Sequence, residues 1–192
     1  MTYEIKNFDH LVGLKGFSDQ LLHNHFKLYA GYVTNTNKLL EELKRLEKEG
    51  KAATPEYAEY KRRFGWEFNG MRLHELYFAN MTKSAKPLSK GALAQALTQE
   101  FGSVEAWLED FKKTGALRGI GWAVLVYDAE AKRLFNIWVN EHDVGHLVGC
   151  TPLLIMDVFE HAFMIDYGLN RADYIKAFLE AIDYNVVEAR FK

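Results

Sequence analysis

Cysteine is almost missing from this chain: Cys150 is the single one among 192 residues. No disulfide can form within the chain, and a zinc site built on several thiolates is excluded. An excess of basic charge is missing too, with 24 Lys and Arg against 26 Asp and Glu and a formal net charge of -2. Phosphate backbones bind basic faces, so nucleic acid is not an expected partner. A small anionic substrate would have to be drawn in by local charge rather than by the whole molecule. No apolar run approaches the ~20 residues of a membrane helix, so no membrane partner is expected. The start, MTYEIKNFDH, lacks the basic stretch and apolar core of a secretory signal. A reducing cytoplasm is the expected compartment. The chain also has no internal repeat and no low-complexity segment.

Aromatic side chains, by contrast, are plentiful, with 13 Phe, 10 Tyr and 4 Trp. Each buries a large area, which provides for an apolar interior. Residues 11–50 carry apolar positions three and four apart, with charges between them, and Gly50 reads as a helix stop. Thr54-Pro55-Glu56 reads as a cap followed by a first-turn proline, opening a second helix to about Met81. Two long helices joined by so short a turn pack as an antiparallel hairpin. The polar stretch TKSAKPLSK marks a boundary, which divides the chain into residues 1–86 and 87–192. Residues 91–115 look helical with a break at Gly102-Ser103. GWAVLVYD and RLFNIWV, joined by AEAK, then read as a β-hairpin, and TPLLIMDV as a third strand. From Glu160 the pattern returns to helix, with Tyr174, Phe178 and Ile182 at four-residue steps. The fold class is therefore α+β: an N-terminal antiparallel helical hairpin followed by an α/β domain with a three-stranded antiparallel sheet.

The segment TPLLIMDVFEHAFMIDYGLNR is the most informative for chemistry. An apolar strand runs into Asp157, and His161 follows four residues later. A carboxylate and an imidazole aimed at one point suit iron, manganese or zinc. Taken alone, the pattern reads equally as a capping aspartate with a surface histidine. His25 and His74, however, fall on the two arms of the hairpin, each among aromatics. Antiparallel packing can bring them together, and with Asp157 and His161 they would make a four-ligand set between the two halves of the chain.

Several segments, in order along nearly the whole chain, resemble the iron/manganese superoxide dismutase family. The ending TPLLIMDVFEHAFMIDYGLNRADYIKAF is similar to the family's D-V-W-E-H-A-Y signature, the most specific match. GIGWAVLV resembles its G-S-G-W strand, FGSVEAWLEDF its first helices after the boundary, GYVTNTNKLL its Tyr-Val-x-x-Asn segment, and HELYF its N-H-x-x-F-W. The resemblance implies a superoxide dismutase with one iron or manganese ion per subunit, held by His25, His74, Asp157 and His161. It implies superoxide as substrate and a homodimer or tetramer as the assembly. Tyr32 matches the gateway tyrosine and Trp122 an aromatic wall of the cavity. His142, in Asn140-Glu141-His142-Asp143, stands where manganese-type members place a glutamine that holds the metal-bound solvent. Gly70 stands where iron-type members carry theirs. Glu160 matches the residue that reaches a ligand histidine of the other subunit, with Arg171 and Tyr174 close by.

The chain also departs from the family. The usual eight-residue step from first ligand to gateway tyrosine is seven from His25 to Tyr32. Alignment on Tyr32 would place Asn24 at the ligand position, between His23 and His25. His25 is the expected ligand, on a first helix that has lost the family's extra-residue bulge, and His23 is the alternative. Tyr29 and Met164 replace the interface His/Tyr pair, and Phe78, Val124 and Phe159 replace three tryptophans, which implies a wider cavity. Such a shell leaves open a relative with intact ligands but altered redox chemistry, or one without dismutase activity.

Overall fold

The computed structural model describes residues 2–192. Helix α1 (Asp19–Lys48) opens on Ser18, whose Oγ accepts the Leu21 amide at 3.1 Å. It closes at Gly50, where φ of +71° lets the Lys51 amide reach back to the Leu46 carbonyl at 2.8 Å. Helix α2 (Pro55–Ala79) starts as its sequence suggests, with Thr54 as cap and proline in the first turn. Tyr57 meets Glu47, Asn35 meets Glu67 and Tyr29 meets Glu75, so the two helices run antiparallel.

The helical periodicity seen from residue 11 onward does not produce helix before Asp19. A 3-10 turn spans Asp9–Leu11, and Gly13 and Gly16 then take φ of +82° and +85°, values that no α-helix accommodates. The apolar residues of this stretch, Leu11, Leu14 and Phe17, are buried all the same.

Residues 85–89 have no regular structure. Helices α3 (Ala92–Phe101) and α4 (Val104–Gly115) follow, broken at Gly102-Ser103 as expected, with the Ser103 Oγ accepting the Ala106 amide. Strands β1 (Gly121–Asp128), β2 (Arg133–Asn140) and β3 (Thr151–Asp157) form one antiparallel sheet in the order β2-β1-β3. The central position of β1 explains why its apolar residues run continuously instead of alternating. Trp122 of β1 pairs with Asp157 at the end of β3.

After Asp157 the helical pattern is broken into pieces: a 3-10 turn Glu160–Ala162, α5 (Met164–Tyr167), α6 (Arg171–Glu180) and α7 (Tyr184–Arg190). Gly168, at φ +54°, stops α5. Ile182 lies beyond α6, in an isolated bridge with Met81. That bridge, with Thr82 N–H on the Ala181 carbonyl and Asp183 N–H on the Asn80 carbonyl, fastens the end of α2 to the C-terminal segment. Asn80 Nδ2 donates to the Ile155 carbonyl at 2.6 Å and ties the same point to β3.

Candidate metal centre

His25 on α1, His74 on α2, Asp157 at the end of β3 and His161 in the following 3-10 turn converge on one point. One ligating atom from each lies within 4.8 Å of all the others. Asp157 Oδ2 is the common neighbour, 3.2 Å from His25 Nε2, 3.0 Å from His161 Nε2 and 3.6 Å from His74 Nε2. His25, His74 and Asp157 are buried, whereas the His161 side chain keeps 30 % of its surface exposed.

The clearest sign of a bound ion is His74. Its Nδ1–H donates to the Gly70 carbonyl at 2.6 Å, one turn back on α2. That bond leaves the lone pair on Nε2, and this atom is buried without a hydrogen-bond partner. A buried bare nitrogen costs free energy unless something accepts its lone pair. A metal ion is such an acceptor, and an Nδ1–H bonded to a backbone carbonyl is how ligand histidines are commonly oriented. Three imidazoles and one carboxylate facing a common point are a donor set that suits iron, manganese or zinc.

Asp157 is prepared in the same way. Its Oδ1 accepts the Phe159 amide at 2.9 Å, which aims Oδ2 at the three rings. Burial alone would raise its carboxyl pKa, but His161 and His25 beside it outweigh burial and hold it well below the usual carboxylate range. Burial lowers the pKa of both His25 and His74, so their rings are neutral, as ligation requires. The Tyr174 hydroxyl donates to the Asp157 carbonyl at 2.5 Å and in turn faces the Tyr77 hydroxyl at 3.2 Å.

A second set of residues surrounds this cluster. Trp122 Nε1–H donates to His142 Nδ1 at 3.1 Å. Indole can only donate, so the proton of the neutral His142 ring is on Nε2, which lies 2.8 Å from the Tyr32 hydroxyl. Burial pushes the His142 pKa down to about 4. The Tyr32 ring stacks on His74 with centroids 5.1 Å apart. It can do so because residue 70 is glycine: a Cβ there would sit 2.5 Å from Tyr32 Cδ1. Phe159 lies against both His142 and His161, at 5.0 Å and 5.2 Å.

The remaining predicted residues lie farther out. Helix α1 is regular across residues 19–48, with His25 and Tyr32 buried on one face and His23 exposed. Tyr29 is buried on the same face, but its hydroxyl donates to Glu75 Oε1 at 3.1 Å and accepts the Lys6 amide. Burial raises its pKa to about 12. Glu160 is exposed beside His161. Arg171 donates to the Leu117 and Gly119 carbonyls. Sequence reasoning missed two groups. The buried Glu75, next to His74, collects Tyr29, Lys6 and Arg72. Trp66 packs 4.5 Å from His142 and 5.4 Å from Tyr32. The only hint of Trp66 was its place eight residues before His74 on one helix.

Residues 89–190 match the family described as iron/manganese superoxide dismutases, C-terminal domain. The superoxide dismutase [Fe] of Aquifex pyrophilus is 33 % identical over 198 residues, covering 100 % of this chain and 92 % of that relative. The superoxide dismutase [Fe] of Saccharolobus solfataricus is 35 % identical over 169 residues, covering 85 % of this chain and 80 % of the relative. The superoxide dismutase [Mn] 2 of Haloferax volcanii is 40 % identical over 124 residues. That match covers 65 % of this chain and spans 62 % of the relative's length.

Proposed function

Starting from the fact that this chain belongs to the iron/manganese superoxide dismutase family, we propose that it converts superoxide to oxygen and hydrogen peroxide at one iron or manganese ion. The observation that carries this reading is the buried bare Nε2 of His74, facing Asp157 Oδ2 and the rings of His25 and His161. Those four residues would hold the ion, with His25 rather than His23 as the first ligand. The ion would supply a redox couple that takes one electron from one superoxide and returns it to a second; zinc, which has no such couple, would not serve.

The chain's own residues do the rest. Three neutral imidazoles and one carboxylate contribute a single negative charge, so a divalent or trivalent ion leaves the centre positive towards an anion. His142 holds a proton on Nε2 against the Tyr32 hydroxyl, which positions both groups for proton delivery to reduced substrate. Burial, then the negative charge of Asp157 and Glu67, raises the Tyr32 pKa, so the hydroxyl keeps its proton at neutral pH. Trp122 fixes the His142 tautomer, Phe159 walls the site beside His161, and Tyr174 holds the backbone of Asp157.

The assembly we propose is a homodimer, or a tetramer built on it, with Glu160 of one copy bonded to His161 of the other. Glu160 is exposed, the His161 edge is open, and the apolar Leu117, Ile120, Met164 and Ile165 are exposed on neighbouring segments. Arg171 and Tyr174 would support that face from behind. An antioxidant role follows from the dismutase reading, and the compartment we propose is the cytoplasm, where an unpaired cysteine such as Cys150 stays reduced. No helix is long and apolar enough to cross a membrane among the described residues. We also propose a division into residues 1–86 and 87–192, with the metal site between them.

The test is elemental analysis of the purified protein, followed by superoxide consumption after loading with iron and, separately, with manganese. About one ion per chain and rapid consumption with at least one of the metals are expected. The direct His142–Tyr32 bond and the phenylalanines at 78 and 159 favour one alternative: a metal centre of shifted potential. It would take up metal and leave superoxide untouched.

A further inference from the structure

Trp66 roofs Tyr32 and His142 and is itself held on two sides. Its Nε1–H donates to Glu141 Oε2 at 3.4 Å, and the guanidinium of Arg63 lies 3.7 Å from its ring centre. Arg63 is also tied to Glu67, with Nε and Nη2 each 2.9 Å from Oε1. Glu67 is buried, whereas the Arg63 side chain keeps 46 % of its surface exposed. Glu141 adopts φ of +55°, a strained conformation for a non-glycine residue, and in that conformation its carboxylate meets the indole. Besides Asp157, the charged groups that bear on the Tyr32 hydroxyl are two carboxylates, Glu67 and Glu141, and one cation, Arg63.

We propose that Arg63 is the residue that draws a small anion towards the metal site from the Trp66 side, its solvent-facing guanidinium offsetting Glu67 and Glu141 above Tyr32 and His142. The proposal rests on reading the site as a centre that acts on superoxide. A formal net charge of -2 does nothing to attract an anion to the molecule as a whole. At physiological ionic strength charges are screened beyond about 8 Å, so the charged groups nearest Tyr32 and His142 dominate the field an approaching anion meets on this side. Two carboxylates alone would repel it. The cation–π contact with Trp66 and the two bonds to Glu67 hold the guanidinium in place.

Azide, a small monoanion, tests this when titrated into the iron- or manganese-loaded protein and followed by the metal's absorption spectrum. At ~0.01 M salt Arg63→Gln, whose amide can still donate to Glu67, should weaken azide binding about threefold or more. The gap should close as salt is raised and the screening length falls from ~30 Å to a few Å. Glu141→Gln, which removes a carboxylate yet can still accept from Trp66, should tighten azide binding. Arg63→Lys should retain most of the affinity. Arg62→Gln is the control, because Arg62 pairs with Glu59 on the exposed face of the same helix and its loss changes net charge equally. Equal effects of Arg63→Gln and Arg62→Gln, a gap indifferent to salt, or no tightening in Glu141→Gln would each overturn the proposal. Superoxide consumption by the wild-type protein is measured alongside. Its absence would count against the dismutase reading, while the azide series still decides the role of Arg63.

Discussion

His25 and His23 are two residues apart on a regular helix, so at ~100° per residue they point to nearly opposite sides. His25 is buried with Nε2 near Asp157, and His23 is exposed. His25→Ala is therefore expected to lose metal and activity, while His23→Ala keeps both; metal content by elemental analysis separates them, and the reverse pattern would mean that the helix is not regular in the loaded protein. His142 supports a second prediction. An unfolded histidine titrates near 6.5, and burial brings folded His142 to about 4. Between these values the unfolded chain binds a proton that the folded one refuses. The stabilisation is complete above about pH 6.5 and is lost as pH falls towards 4, roughly 3 kcal/mol in all. His25 and His74 act in the same direction. The metal-free protein should thus lose stability steeply on acidification over that range in urea titrations. His142→Gln should flatten the loss; an unchanged slope would show that His142 does not supply it.

Elements differ in how far local residues specify them. Helices α1, α2 and α4 begin at Ser18, Thr54 and Ser103 because those hydroxyls satisfy first-turn amides, which is visible in sequence. The stretch before α1 and the pieces after Asp157 are less legible. There the apolar spacing reflects burial against several neighbours, while Gly13, Gly16 and Gly168 set a backbone that periodicity does not report. The end of α2 is held by a contact with no local signature. Arg190 of α7 donates to Asn80 Oδ1 at 2.6 Å, to the Leu153 carbonyl at 2.7 Å and to the Leu76 carbonyl at 3.2 Å. Burial lowers its pKa to about 10, so it remains charged at neutral pH. Arg190→Met strands three acceptors and should cost about 2 to 4 kcal/mol in chemical denaturation. A cost below about 0.5 kcal/mol would mean that water replaces the clamp.

At the scale of the whole molecule, one hydrophobic cluster runs from Phe8 in the N-terminal segment to Val187 in α7. The metal cluster draws its residues from both ends of that range. The side of the cluster left open is His161, beside Glu160. If a second copy closes it, light scattering at micromolar concentration should report a dimer, and Glu160→Ala should weaken both the dimer and superoxide consumption. A monomeric wild type, or a Glu160→Ala variant unchanged in both, would remove the cross-subunit role.

The sequence by itself determined the α+β class, the hairpin and the three strands, because caps and periodicity are local properties of a chain; the grouping of His25, His74, Asp157 and His161 it carried only through resemblance to a family, with His23 left as the alternative to His25. It could not say that the His142 proton sits on Nε2, that Gly70 makes room for the Tyr32 ring, or that Arg63, Trp66 and Glu141 meet over the site. Those facts join residues from α1, α2, β1 and the turn after β2. Tertiary packing decided them, since a tautomer or a stacked cation depends on which groups from distant segments come within hydrogen-bonding or van der Waals reach.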